Sequence, residues 1–319
     1  IAAYGNSDTN RTARWAGTVA TDFKGQVEEG NVGDGVLIFD DLQPFGVRTN
    51  YDALLDLVQN STANLVVVDL GDPYRLEEAG AALWPDQYQL LRDEMVAEAR
   101  EFLAELLQEM PEGRAVLVLS PHPGQSRASQ GQWIAPVVLY GKETGLLQSP
   151  TTKWPGIVTN MDVAPTVMQL LGAKYPSYMI GSPMEIVPLS AKEALQQVQT
   201  LEESLLALNK NRGVILRALV GFQIGIYVVT LALMAFGISR VLPLVRIIQL
   251  FLVLALALPL YLLILPKGIW AVIVLTIMLL LIGLFTRNFL WATAGVGLLT
   301  ALLVSLDTFT GSSLMRFSY

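Results

Sequence analysis

The sequence predicts an α/β domain on a mostly parallel sheet covered by helices, followed by an all-α transmembrane helical region. Three observations predict this. Short valine-rich runs alternate with amphipathic stretches through the first 190 residues, the pattern of a parallel sheet with helices on both faces. The last third is crowded with apolar stretches of about 20 residues, the length that crosses a bilayer. Charge is divided unequally: eight of 21 basic residues and one of 28 acidic residues lie from Lys210 onward, leaving about −14 on residues 1–209 and about +7 on the rest. Only 15% of residues are charged, against about 25% in soluble domains.

Composition also excludes. The acidic front lacks the basic surface that nucleic-acid binding requires. There is no cysteine, so disulfides, thiol chemistry and cysteine-based zinc sites are out. The chain starts at Ile1 and stops at Tyr319. It reads as a fragment cut at both ends, with the α/β domain truncated at its start.

Along the front domain, residues 13–40 read as short strands, AGTVATDFKGQ and GVLIFDD, with a hairpin-type turn at Lys24-Gly25. Asn50 is placed to cap a helix from Tyr51. The run LVVVDLGD, Leu65 to Asp72, reads as a strand buried on both faces. Leu91, Met95, Phe102 and Leu106 recur at helical spacing in a long amphipathic helix that Gly113 closes. AVLVLS (Ala115 to Ser120) and WIAPVVLYG read as further buried strands. Asp162 is expected to cap a helix that ends at Gly172. These segments define an α/β domain over 1–190 and a helical linker over 191–213.

The region 214–319 follows with about four helices: Val214 to Phe236, Ile247 to Leu265, Ile269 to Phe285 and Phe289 to Leu306. Gly221 and Gly225 form a GxxxG, which lets another helix approach closely. No span carries an ionisable residue at its middle, which disfavours transport through these four helices. The expectation is a multi-pass protein of the cell membrane with the bilayer as partner.

In a parallel sheet, ligands sit beyond the carboxyl ends of the strands. Those ends read VDLGDPYR and LSPHPG. Asp69, Asp72 and His122 converge there if the strands are neighbours, and two carboxylates with an imidazole suit a divalent cation such as zinc or manganese. The bland alternatives are backbone-satisfying carboxylates and a loop histidine. Arg48 and Arg75 could clamp an anion bidentately or pair with some of the many acids. Thr151, Thr152 and Lys153, in SPTTKWPG, could hold a phosphate or form a plain surface turn.

The order of segments resembles the carboxyl half of an alkaline phosphatase superfamily domain over about residues 50–190. GIVTNMDVAPTVMQLLG, with GSPM trailing it, is similar to the helix-leading segment near that domain's end. LVVVDLGD resembles the strand whose terminal Asp residues serve the metal centre. AVLVLSPHPG resembles the strand that ends in an Asp-His-Gly turn. The resemblance implies an alkaline phosphatase-like fold and an extracytoplasmic amino-terminal domain; the charge count alone is close to balanced between the two sides. Pro121 stands where the Asp of the Asp-His pair belongs, and this chain has one histidine where two-metal members use several. The resemblance therefore implies a degenerate domain acting by binding a ligand or protein partner. Two alternatives stay open: a metal-dependent phosphoryl or related transferase or hydrolase on envelope or lipid-linked substrates, and membrane-embedded transfer of a lipid-linked molecule.

Overall fold

The computed structural model describes residues 1–141, 143–236, 269–285 and 289–309. The chain divides into two compact units, Ile1–Pro188 and Leu189–Tyr319.

The first unit is built around β1 (Ala2–Gly5), flanked in parallel by β2 (Glu29–Asn31) and β5 (Val66–Asp69). Strand alternation sends neighbouring side chains to opposite faces. Ala2, Tyr4, Val66 and Val68 pack with Leu54 and Val58 of α2 (Tyr51–Asn60) and Phe102 of α4 (Pro85–Gln108). Ala3 and Val67 pack on the other face with Ala16 and Ala20 of α1 (Trp15–Ala20). The result is helix, sheet, helix. Tyr51 and Phe102 pack as tilted rings with centroids 5.6 Å apart, joining α2 to α4. Asn50 caps α2, its side chain accepting from the Ala53 amide at 3.1 Å.

The mostly parallel sheet is corrected. Parallel pairing is confined to β2-β1-β5, and three separate two-stranded antiparallel sheets complete the described strands. These are β3 (Leu37–Phe39) with β4 (Val47–Thr49), β6 (Val116–Leu119) with β7 (Val137–Tyr140), and β8 (Gly145–Gln148) with β9 (Glu185–Pro188). A parallel crossover needs a dozen or more residues, usually a helix. The link from β6 to β7 holds only the five-residue α5 (Gln125–Ser129) among prolines and glycines. There the chain turns back on itself.

AGTVATDFKGQ also differs from expectation: its first half is α1. Ala16 and Ala20, four residues apart, lie on one helical face, and their small side chains let α1 rest close on the sheet. Lys24-Gly25 is a turn without a hairpin, organised by the Asp22 carboxylate accepting from the Lys24 and Gln26 amides at 2.8 and 2.9 Å. α3 (Asp72–Ala79) follows β5 directly, and α6 (Val163–Leu170) precedes β9.

The second unit contains α7 (Ala191–Ala235), α8 (Ile269–Phe285) and α9 (Phe289–Phe309). α8 packs on α9, and Leu275 and Leu279 of the first and Ala292 and Val296 of the second are buried. Among the described residues, no helix is long and apolar enough to cross a membrane. That finding corrects the expected transmembrane region, the multi-pass reading and the cell-membrane localisation. α8 has 17 residues and rises about 26 Å at 1.5 Å per residue, short of a hydrocarbon core of about 30 Å. α9 ends in a polar turn that contains the buried Asp307. The first expected span is the continuation of α7, whose first half carries Lys192, Glu193, Glu202 and Glu203. Ile247 to Leu265 lies outside the described residues. Nothing among the described residues approaches within 4 Å of a Cβ placed at Gly221 or Gly225, so no described helix is seated on the GxxxG.

Candidate functional site

The carboxyl ends of β1 and β5 lie side by side, and the polar residues that follow them interlock. Gly5 has φ +109°, and a Cβ there would lie 2.0 Å from the Asp69 carbonyl oxygen. A Cβ on Gly71 would lie 1.9 Å from the Asn6 carbonyl oxygen. Glycine is required at both points because the two backbones touch. This closeness lets Ser7, fully buried, donate through Oγ to Asp69 Oδ2 at 2.7 Å. Burial pushes the Asp69 carboxyl above its ordinary range, against the pull of Ser7, Arg75 and the Trp15 amide. Asp8 behaves oppositely. Burial raises it, but the Ala13 amide at 2.6 Å and the Arg14 guanidinium at 3.2 Å outweigh that and hold it below its ordinary value.

Arg75 is the largest fully buried side chain among the described residues, 1% exposed. One of its terminal nitrogens donates to the Asn6 carbonyl at 2.7 Å; the other donates to Thr49 Oγ1 at 3.0 Å and Asp72 Oδ1 at 2.7 Å. Asp72, the first residue of α3, also accepts the Thr49 amide at 3.0 Å. The guanidinium thus ties β1, β4 and α3 together. Its Nε and the hydroxyl of Tyr51 are buried without a hydrogen-bond partner. Burial, then the charge of Asp72, push the Tyr51 hydroxyl far above its ordinary value. Gln43, Pro44, Val47, Leu91 and Met95 line a small cleft beside Asp72 and Arg75.

A second polar centre forms around Asp162, also fully buried. Its Oδ1 accepts from Thr151 Oγ1 at 2.7 Å and the Ser182 amide at 3.0 Å. Its Oδ2 accepts from the Thr159 amide and hydroxyl, both at 2.8 Å. Burial raises the carboxyl, but these four donors outweigh it and hold it at about 2. Asp162 stands at the N-cap position of α6 as expected, but its side chain makes no cap bond to that helix and serves the turn before it. A 3-10 turn over Asn160–Asp162 precedes α6, Thr159 is its N-cap, and Asp162 is the third residue of a capping box. The helix ends at Leu170, with Gly172 beyond it at φ +68°.

The remaining sequence candidates are placed as follows. Asp69 and Asp72 are brought to one strand end, but Asp72 is already engaged by Arg75 and Thr49. His122 is exposed, with Nδ1 3.1 Å from the Pro123 carbonyl oxygen. It follows β6, which pairs with β7 and not with β5, so the premise that neighbouring strands carry His122 to the aspartates fails. Among the described residues, no group of three or more His, Asp or Glu is arranged to hold a metal ion. Arg48 pairs with Glu98 at 3.0 Å and Asp40 at 3.7 Å. Thr151 serves Asp162, and Thr152 donates to the Ile157 carbonyl at 2.6 Å. Lys153 is exposed in the left-handed region at φ 55°. SPTTKWPG is therefore a turn stitched to α6.

Asn6, Ser7 and Asp8 do not stand out in the sequence. The signal that could have found them is a glycine followed by three polar residues after a short run of small apolar ones. Comparison of the chain with protein-family models, with curated proteins and with solved structures gives no match.

Proposed function

We propose that the first unit is a degenerate alkaline phosphatase-like domain that acts by binding a ligand or protein partner, without phosphoester hydrolysis. One observation carries this reading: the side chains that would do the chemistry are consumed by internal bonds. Arg75 spends its terminal nitrogens on Asn6, Thr49 and Asp72. Asp72 is held by Arg75 and by the Thr49 amide, and Arg48 is paired with Glu98 and Asp40. A carboxylate or guanidinium withdrawn into such a network costs several kcal/mol to free.

The alternative, a metal-dependent phosphoryl or related transferase, has one observation in its favour. Asp69, its carboxyl raised by burial, stands with Ser7 at the strand ends where parallel sheets place their ligands. Ser7 Oγ faces inward and is fully covered.

Metal content of the purified full chain, with hydrolysis of p-nitrophenyl phosphate in added zinc or manganese, separates the two. The binding reading expects metal at background and no turnover. Near-stoichiometric metal that falls in Asp69→Asn, with turnover that falls alongside it, would overturn it.

A further inference from the structure

The small cleft beside Arg75 carries donors that the fold does not use. One wall is the turn between β3 and β4, where Gln43 and Pro44 stand; Leu76 of α3 and Leu91 and Met95 of α4 supply others. Asp72 and Arg75 are the charged residues of the lining. Arg75 Nη1 donates to Asn6, and Nη2 donates to Thr49 and Asp72, which leaves Nε–H buried with no partner. A planar guanidinium holds Nε–H and Nη2 on one edge. The spare donor therefore lies along the edge that meets Asp72. The Tyr51 hydroxyl is a second buried donor without a hydrogen-bond partner, within the field of Asp72. A buried donor left unpaired is costly, and native proteins leave few of them without a ligand or an ordered water to meet them.

The same groups select what would bind. Two spare donors call for an oxygen acceptor. Asp72, 2.7 Å from the guanidinium, already balances its charge, so a carboxylate or phosphate would meet the repulsion of that aspartate and a neutral acceptor would not. Pro44, Val47, Leu76, Leu91 and Met95 make the rest of the lining apolar. The enclosed room is about 10 Å³, the space of one oxygen atom; the acceptor enters, and the apolar body stays at the mouth. The turn wall is strained: Phe45, next to Pro44, has φ 63° in the left-handed region. Such backbone in a non-glycine residue gathers at ligand clamps. We propose that this cleft binds a neutral molecule that pairs one carbonyl or amide oxygen with a small apolar body, the oxygen accepting from Arg75 Nε–H. The proposal rests on the reading of the first unit as a binding domain and gives that reading a place and a ligand class.

The test is a titration of the full chain with N-isobutylacetamide, followed by nuclear magnetic resonance at the Arg75 Nε–H and the Met95 methyl. Both signals are expected to shift saturably. Isovalerate, with the same branched body on a carboxylate, is expected to bind about tenfold more weakly because Asp72 repels it. Met95→Trp, which fills the cleft, is expected to abolish the shift; Gln43→Trp, in the turn wall, serves the same purpose should the first variant fail to fold. Signals unmoved up to the solubility limit, tighter binding of isovalerate, or a shift unchanged in a folded blocking variant would each overturn the proposal. So would a water cross-peak at Arg75 Nε–H that the amide leaves in place. The titration is run in EDTA without phosphoester, so a missing shift counts against the cleft alone, while metal uptake and turnover count against the binding reading.

Discussion

Asp69 and Asp162 are both aspartates withdrawn from water in the first unit, and they titrate in opposite directions. Burial pushes both carboxyls up. Asp162 has two hydroxyls and two amides arranged around it and falls to about 2. Asp69 has the Ser7 hydroxyl, the Trp15 amide and the field of Arg75, and it stays raised. The comparison teaches that the balance of donors against burial decides whether an enclosed carboxylate steadies a fold or burdens it. One aspartate is a structural pin. The other is held at a cost, at the carboxyl end of its strand.

The sharpest way to break the comparison is to remove what pins each centre. Arg75→Ala strips the partner from Asp72 and leaves Asn6 and Thr49 acceptors buried. A loss of about 3–5 kcal/mol in urea unfolding is expected, and a loss below about 1 kcal/mol would show that the guanidinium is not holding the three elements together. Asp162→Ala should cost about 3 kcal/mol, because four donors lose their acceptor at once. A loss of about 1 kcal/mol would reduce it to an ordinary helix cap.

The opposite titrations give the pH test. Asp162 is lowered from an ordinary 3.8 to about 2. Its contribution, about 2 kcal/mol, is fully present above the unfolded value and is lost as pH falls from about 4 through about 2. The stability gap between the unmodified chain and Asp162→Asn should therefore narrow over that window. Asp69 has the reverse sign: its contribution is greatest below the unfolded value and is lost as pH rises through the raised folded value. Asp69→Asn should consequently gain on the unmodified chain as pH rises from 4 to 7, and a gap flat with pH would remove the contrast. The smallest effect belongs to His122→Ala, exposed in its turn, within about 0.5 kcal/mol of neutral in the same unfolding measurement.

What could be read from the sequence was local. Asn50 before Tyr51 reads as a cap, and it caps; the spacing of Leu91 and Phe102 reads as one helical face, and both are buried. These signals sit within a few residues of what they specify. Partner choice between strands does not. Val116 to Leu119 is as apolar a run as Val66 to Val68, yet one pairs antiparallel with its successor and the other parallel with the first strand of the chain. α1 was hidden because two alanines four residues apart carry little hydrophobic periodicity. The Asp162 centre was half visible: the aspartate before the helix was legible, but Thr151 and Ser182 lie 11 and 20 residues away. The candidate metal residues failed on the same point, since His122 depended on two strands being neighbours. The apolar third shows the limit of counting residues, since α8 runs for 17.

The contact between Gly5 and the Asp69 carbonyl, with its counterpart between Gly71 and Asn6, has a consequence for tracing ancestry. At these two crossings the main chain admits no methyl group. Catalytic side chains can decay once a domain stops turning over substrate, because nothing else depends on them. A backbone crossing cannot decay without unfastening the sheet. Distant kin of this chain should therefore be sought by a glycine closing the first strand and another opening the helix after the third parallel one, even where every acid and base has drifted.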